Sequence, residues 1–155
     1  MKKFWLELLV VVAMVSGGLW TQTASASEYM HRTLPGRKYT HTTPKSFRGS
    51  WYSYSKVMGY HKMVVKTHTV TTYTKTKKRH AWKKDLSLTG KHLYVYHEKR
   101  DHHNWYGFYQ AYEDDFNYNY LTTKRVHGKK VKTLVDGSNY NNFHTLKLAL
   151  LAKNN

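Results

Sequence analysis

Hydrophobic residues fall in two very different patterns along this chain. Leu8 to Val15 (LLVVVAMV) is an unbroken apolar run, trailing through Ser16-Gly17-Gly18 to Leu19 and Trp20. A helical bilayer span needs about 20 apolar residues, so this run is too short to be a stable one. Residues 27–45 carry no apolar periodicity and contain Pro35, Gly36 and Pro44, the composition of a flexible arm. From Phe47 onward the texture changes to short alternating segments. Trp51 to Ser55 (WYSYS) starts a strand pattern, and Lys62 to Thr76 is dense in Val and Thr, whose branched side chains suit a pleated surface. Leu86 to Leu88, Thr89-Gly90-Lys91 and Leu93 to His97 read as strand, turn, strand. Tyr118 to Val126, His127-Gly128 and Lys129 to Val135 form the clearest hairpin, ended by Asp136-Gly137-Ser138-Asn139.

Two segments fit more than one state. Trp105 to Tyr112 has helical spacing through Trp105, Phe108, Tyr109, Tyr112 and Phe116, but its aromatic enrichment and Gly107 favour a strand. Phe143 to Ala152 fits a closing strand or a short helix. Short strands at regular intervals predict an all-β domain over residues 46–155, a small antiparallel barrel or tightly curled sheet.

The apolar run has the flanks of an export signal. Lys2 and Lys3 precede it, Gly17-Gly18 loosens its end, and Ala24-Ser25-Ala26 is a small-x-small cleavage site. Residues 1–26 are therefore expected to be a signal peptide, cut after Ala26 or, alternatively, Ala24. The chain has no Cys, which excludes a lipoprotein anchor and a disulfide framework alike. Leu34-Pro35-Gly36-Arg37 lies at the wrong end for a sortase signal and lacks its Thr. The expectation is a secreted protein with no covalent tether and no integral membrane segment after cleavage. An exported, cysteine-free chain fits a Gram-positive source, and its core must hold by packing alone.

Charge sharpens the picture. Lys and Arg number 26 against 9 Asp and Glu, with 11 His and a formal net charge of +17. Protonation of the histidines at acidic pH would carry the remainder after cleavage to about +27. Such a charge favours anionic partners, among them teichoic acids, nucleic acids, acidic lipids and glycans. The 14 Tyr residues suit strands that are apolar on one side and wet on the other. The tract from 75 to 84 (KTKKRHAWKK) concentrates the charge. Lys75, Lys77, Lys78, Arg79, Lys83 and Lys84 surround Trp82, whose indole would stack on a sugar or base while the cations hold a polyanion. The stretch Lys77-Lys78-Arg79-His80 with Lys83-Lys84 reads as a loop. Lys124, Arg125, Lys129, Lys130 and Lys132 would widen the patch if that hairpin lies nearby. No pattern for reading a particular nucleic-acid sequence is present.

Catalytic and metal signatures are absent from the sequence. His97-Glu98-Lys99-Arg100-Asp101-His102-His103 places its first two histidines five apart, one more than the helical zinc pattern requires, so it reads as a solvated turn. Glu113-Asp114-Asp115 supplies too few fixed oxygens for a cation. Ser53, Ser55 and Ser138 sit in no nucleophile context. A non-enzymatic domain with no cofactor and no metal is expected.

Pro44-Lys45-Ser46-Phe47-Arg48-Gly49-Ser50-Trp51-Tyr52 resembles the P-K-x-[LF]-R-G-x-W-Y motif of small secreted proteins of lactobacilli and related lactic-acid bacteria. Gly128 to Leu134 (GKKVKTL) and, more loosely, Leu151-Ala152-Lys153 extend that likeness. It implies an extracellular β-rich protein. Gly49-Ser50-Trp51 also resembles the G-x-W that opens lipocalin-type barrels. That likeness implies a structural role for Gly49 and Trp51, the Gly permitting close approach and the indole plugging a tapering barrel end. The lipocalins' later T-D-Y signature is missing. Three functions follow as expectations: adhesion to anionic envelope or host polymers, a lipocalin-like carrier of a small apolar ligand, and a cationic antimicrobial or immunity factor.

Overall fold

A computed structural model describes residues 38–77, 80–109 and 117–152, and it is mostly β. Ten strands are present among the described residues: β1 (Tyr39–Thr40), β2 (Gly49–Ser55), β3 (Gly59–Lys66), β4 (Thr69–Lys75), β5 (Lys83–Thr89), β6 (Tyr94–Arg100), β7 (His103–Tyr109), β8 (Asn117–Val126), β9 (Lys129–Asp136) and β10 (Asn141–Phe143). One short helix, α1 (Leu146–Ala152), follows. The strands form a single sheet in the order β1-β6-β7-β8-β9-β10-β2-β3-β4-β5. It is a strongly curled half-barrel in which every neighbouring pair is antiparallel. Two meanders, β2 to β5 and β6 to β10, join where Phe143 of β10 pairs with Tyr52 of β2.

Residues paired directly across strands share a face, so the register sorts side chains into two surfaces. One concave row is Trp51, Met63, Thr72 and Leu86, taken from β2 to β5 in turn; the next is Gly49, Val65, Val70 and Leu88. Val95 opposite Phe108 and Leu121 opposite Leu134 face them from the other meander. With Phe47 and Leu93 the apolar side chains of these rows make the core. The helix covers part of the convex side, where Ala149 packs with Phe143 and Val126, and Tyr52 and Leu148 join them.

Trp51 is fully buried at one end of this core. Its Nε1 donates to the Phe47 carbonyl at 2.7 Å, fixing the 3-10 turn Lys45–Phe47 beneath it. The His144 ring lies 3.9 Å from the indole, and Lys132 Nζ stands 5.9 Å over the indole while donating to the Ser46 carbonyl at 2.7 Å. Gly49, with φ +130, is in a conformation that side chains disfavour, and a Cβ there would meet His144 Cε1 at 3.4 Å.

Several expectations need correction. The flexible arm over 27–45 does not extend to its described part. Tyr39–Thr40 pairs with β6, and buried Thr43 donates from its amide to the Thr67 carbonyl at 2.9 Å and from Oγ1 to the Lys66 carbonyl at 2.8 Å. Arg48 Nη2 holds the Thr43 carbonyl at 2.9 Å. The segment is fixed by hydrogen bonds, which leave no trace in hydrophobic periodicity. The Val/Thr run from 62 to 76 is two strands, because the chain turns at Thr67-His68. Lys83-Lys84 opens β5 and is not loop, since both residues pair with β4. The ambiguous tail divides into strand β10 and helix α1, and the described part of Trp105 to Tyr112 is strand. The expected signal peptide, 1–26, lies outside the described residues.

Candidate functional site

The convex surface of β2 to β5 carries an ordered array of aromatic and cationic side chains. Three segments repeat an aromatic-x-Lys pattern: Tyr60-His61-Lys62, Tyr73-Thr74-Lys75 and Trp82-Lys83-Lys84. Alternation puts the first and third residue of each on one face, and antiparallel pairing reverses their order from strand to strand. Aromatics therefore meet lysines. Tyr52, Lys62, Tyr73 and Lys84 form one cross-strand row, and Tyr54, Tyr60 and Lys75 the next. Lys62 Nζ lies 5.8 Å from the centre of the Tyr52 ring and 5.4 Å from that of Tyr73. Lys75 Nζ lies 5.6 Å from the Tyr60 ring, which packs 5.0 Å from Tyr54. The Trp82 ring comes to 6.2 Å from Tyr52.

The strands that carry this array hold little negative charge of their own. Between residues 49 and 89 the sequence holds nine Lys and Arg and one acid, Asp85. Asp85 accepts from Thr74 Oγ1 at 3.0 Å, and Thr74 faces the opposite side of the sheet. The ion pairs among the described residues lie elsewhere, from Arg100 to Glu98 at 3.7 Å and to Asp101 at 3.5 Å. Ammonium groups held against ring faces keep fixed positions without losing their charge, so they can meet an external anion at small cost in side-chain freedom.

The tract expected to bind a polyanion is thus only partly assembled on this face. Lys75, Trp82 and Lys84 belong to the array. Lys77 is exposed just beyond β4. Lys83 pairs with Thr74 and faces the concave side, away from the others. Lys78 and Arg79 lie outside the described residues. Tyr52, Tyr54, Tyr60, Lys62 and Tyr73 were not singled out by local charge density. The signal that identifies them is the aromatic-x-Lys repeat, meaningful once strand register is known.

The concave side is polar at the end away from Trp51. Ser53, His61 and Thr74 share a row there, and Asp136 Oδ1 accepts from the amides of Ser138 and Tyr140, each at 3.0 Å. Asn142 Nδ2 lies 3.5 Å from Asp136 Oδ2. Burial pushes the His61 pKa below its usual 6.5, against the opposing pull of Asp85 and Asp136. Burial likewise raises Asp136 above the ordinary carboxyl value, and the Tyr140 and Ser138 amides, Asn142 and His61 offset part of that rise.

The two shifts act oppositely on stability. For His61 the unfolded chain holds the proton more tightly, so its contribution is complete above about pH 6.5 and is lost as pH falls toward the lowered folded value. Asp136, with its folded pKa raised, contributes stability below its unfolded value of 3.8 and loses it as pH rises through the folded one. Denaturant midpoints of the wild type and His61→Gln, compared from pH 7 to pH 5, should converge as the wild type loses its extra term. A constant gap across that range would show that His61 does not titrate against folding.

The His97 to His103 segment forms the β6–β7 hairpin, turned at Asp101-His102 with φ of 50° and 61°. No group of three or more His, Cys, Asp or Glu side chains is arranged to hold a metal among the described residues. Glu113-Asp114-Asp115 lies outside them. A cleft of about 240 Å³ opens beside α1, lined by Lys124, Arg125, Phe143 and Leu151 among others, on the convex side of the sheet. No helix among the described residues is long and apolar enough to cross a membrane. Comparison with known proteins finds no matching family model, no matching curated protein and no matching solved structure.

Proposed function

We propose that this chain is an exported, non-enzymatic β-domain that binds anionic polymers of the cell envelope or of a host through the convex face of β2 to β5. The carrying observation is Lys62 between Tyr52 and Tyr73, repeated in kind by Lys75 on Tyr60, while the ion pairs among the described residues lie elsewhere, at Arg100. Phosphates or sulfates of a polymer take the lysines, and its sugars or bases lie on the exposed parts of the rings. The leader pattern at 1–26 and the likeness to small secreted proteins of lactic-acid bacteria fit the same reading. On this reading, electrostatic retention keeps the protein near its cell. The carrier reading has weaker support, because apolar side chains from both meanders fill the concave side around Trp51.

A salt series tests the proposal. Binding to immobilised teichoic acid or heparin is expected to weaken log-linearly with salt. Three engaged lysines correspond to a slope of roughly −2 and about a tenfold to thirtyfold loss between 50 and 200 mM. Retention unchanged over that range would overturn it.

A further inference from the structure

The β2–β3 hairpin ends in a feature that the polymer-binding face does not use. Its tip is Lys56-Val57-Met58, and Val57 is 94% and Met58 62% exposed. Turn chemistry asks for Gly, Asn, Asp or Ser at such positions, so an apolar pair there leaves surface in water that the fold does not require. The tip is nonetheless well defined. Ser55 Oγ accepts from the Val57 and Met58 amides at 3.2 and 3.1 Å. Gly59 closes the turn at φ +83, where a Cβ would come within 2.8 Å of the Lys75 carbonyl oxygen. Behind the apolar pair stands the Tyr54–Tyr60 ring pair, 5.0 Å apart, and Lys75 rests on Tyr60. Lys56 adjoins Val57 in the tip, and exposed Lys77 follows β4.

We propose that this hairpin tip inserts into the surface of an anionic lipid bilayer. The order along the hairpin matches the order of layers in a membrane interface. Val57 and Met58 would enter the acyl boundary, Tyr54 and Tyr60 would lie at headgroup level, and Lys56, Lys75 and Lys77 would meet the anionic headgroups. Charge complementarity selects a lipid surface over an apolar protein groove, since the charged side chains beside the tip, Lys56, Lys75 and Lys77, are all cationic and no acid lies on β2 or β3. Shallow insertion of two side chains with three nearby cations makes a reversible contact whose strength follows buried apolar area plus electrostatic attraction.

The absence of Cys from the sequence makes a local test possible in the full chain. Met58→Cys carries an environment-sensitive fluorophore, and Lys99→Cys on β6 carries the same dye as a reference. Mixing with vesicles of phosphatidylglycerol and phosphatidylcholine should blue-shift the dye at 58, and doxyl-labelled lipid should quench it, while the dye at 99 stays as in buffer. Adding Val57→Asp should raise the lipid needed for half the response by about tenfold. The proposal is overturned if the dye at 58 does not respond, if both dyes respond alike, or if pure phosphatidylcholine serves equally well. Retention on the anionic polymer should be unchanged by Val57→Asp, so this reading can fail while polymer binding stands, and the reverse.

Discussion

Truncating Trp51 to alanine is expected to cost about 3–5 kcal/mol of folding stability, read as a large drop in the denaturant midpoint with an unchanged slope. The indole is fully buried, and its removal leaves a cavity between the 3-10 turn, β2 and His144, in the link from β10 to α1. Three elements lose a common contact at once. The Phe47 carbonyl loses its donor, His144 loses the ring it stacks on, and Lys132 loses the face beneath its ammonium. Trp51→Phe separates packing from hydrogen bonding. It keeps most of the apolar bulk and should cost about 1–3 kcal/mol, chiefly for the orphaned carbonyl and the smaller ring. A midpoint unmoved by Trp51→Ala would mean that the indole does not anchor this end of the half-barrel.

Gly49-Ser50-Trp51 is a local feature, a Gly two residues before a Trp at the start of a strand pattern, and that Trp is fully buried. The β8–β9 hairpin was equally plain, since His127-Gly128 takes positive φ at both residues and such turns have a narrow sequence requirement. The turn at Thr67-His68 has neither signal. Neither residue takes a positive φ, and its carbonyls are satisfied from far away in sequence, by Thr43 and by Gly90, whose amide donates to His68 at 2.9 Å. A turn stabilised by distant donors cannot be located from its own residues. The same kind of contact explains why the described part of the 27–45 segment reads as a flexible arm: strand pairing with β6 and the hydrogen bonds of buried Thr43 anchor it, not an apolar stripe.

The residues proposed to bind a polymer are half legible in the sequence for a related reason. Charge density along the chain points to 75–84, but sharing a face depends on register, and register is fixed by the turns at Lys56 to Met58 and Thr67-His68. A slip of one residue would move Lys62 to the concave side and leave Tyr52 and Tyr73 without their cation. Lys83 and Lys84 are adjacent in sequence, yet they belong to opposite faces. A contiguous basic tract is therefore a poor guide to a basic surface whenever the tract enters a strand.

That distinction sets the second large effect. The double substitution Lys62→Glu with Lys75→Glu should weaken binding to the anionic polymer by about a hundredfold at 50 mM salt and make the salt slope shallower, since two engaged cations are lost and two repulsive charges are added. Both side chains are partly exposed and lie on rings, so the fold should tolerate the change; an unaltered near-ultraviolet dichroism spectrum would verify that. The informative control is Lys83→Glu with Lys99→Glu, which changes the net charge equally. Lys83 faces the concave side, and Lys99 lies on β6, in the other meander. If polymer binding followed net charge alone, the two double variants would lose affinity to the same extent, and the Tyr–Lys array would have no special part. A loss confined to Lys62 and Lys75 would instead mean that position matters more than total charge. The polymer would then bind to one ordered face of a protein that is basic almost everywhere.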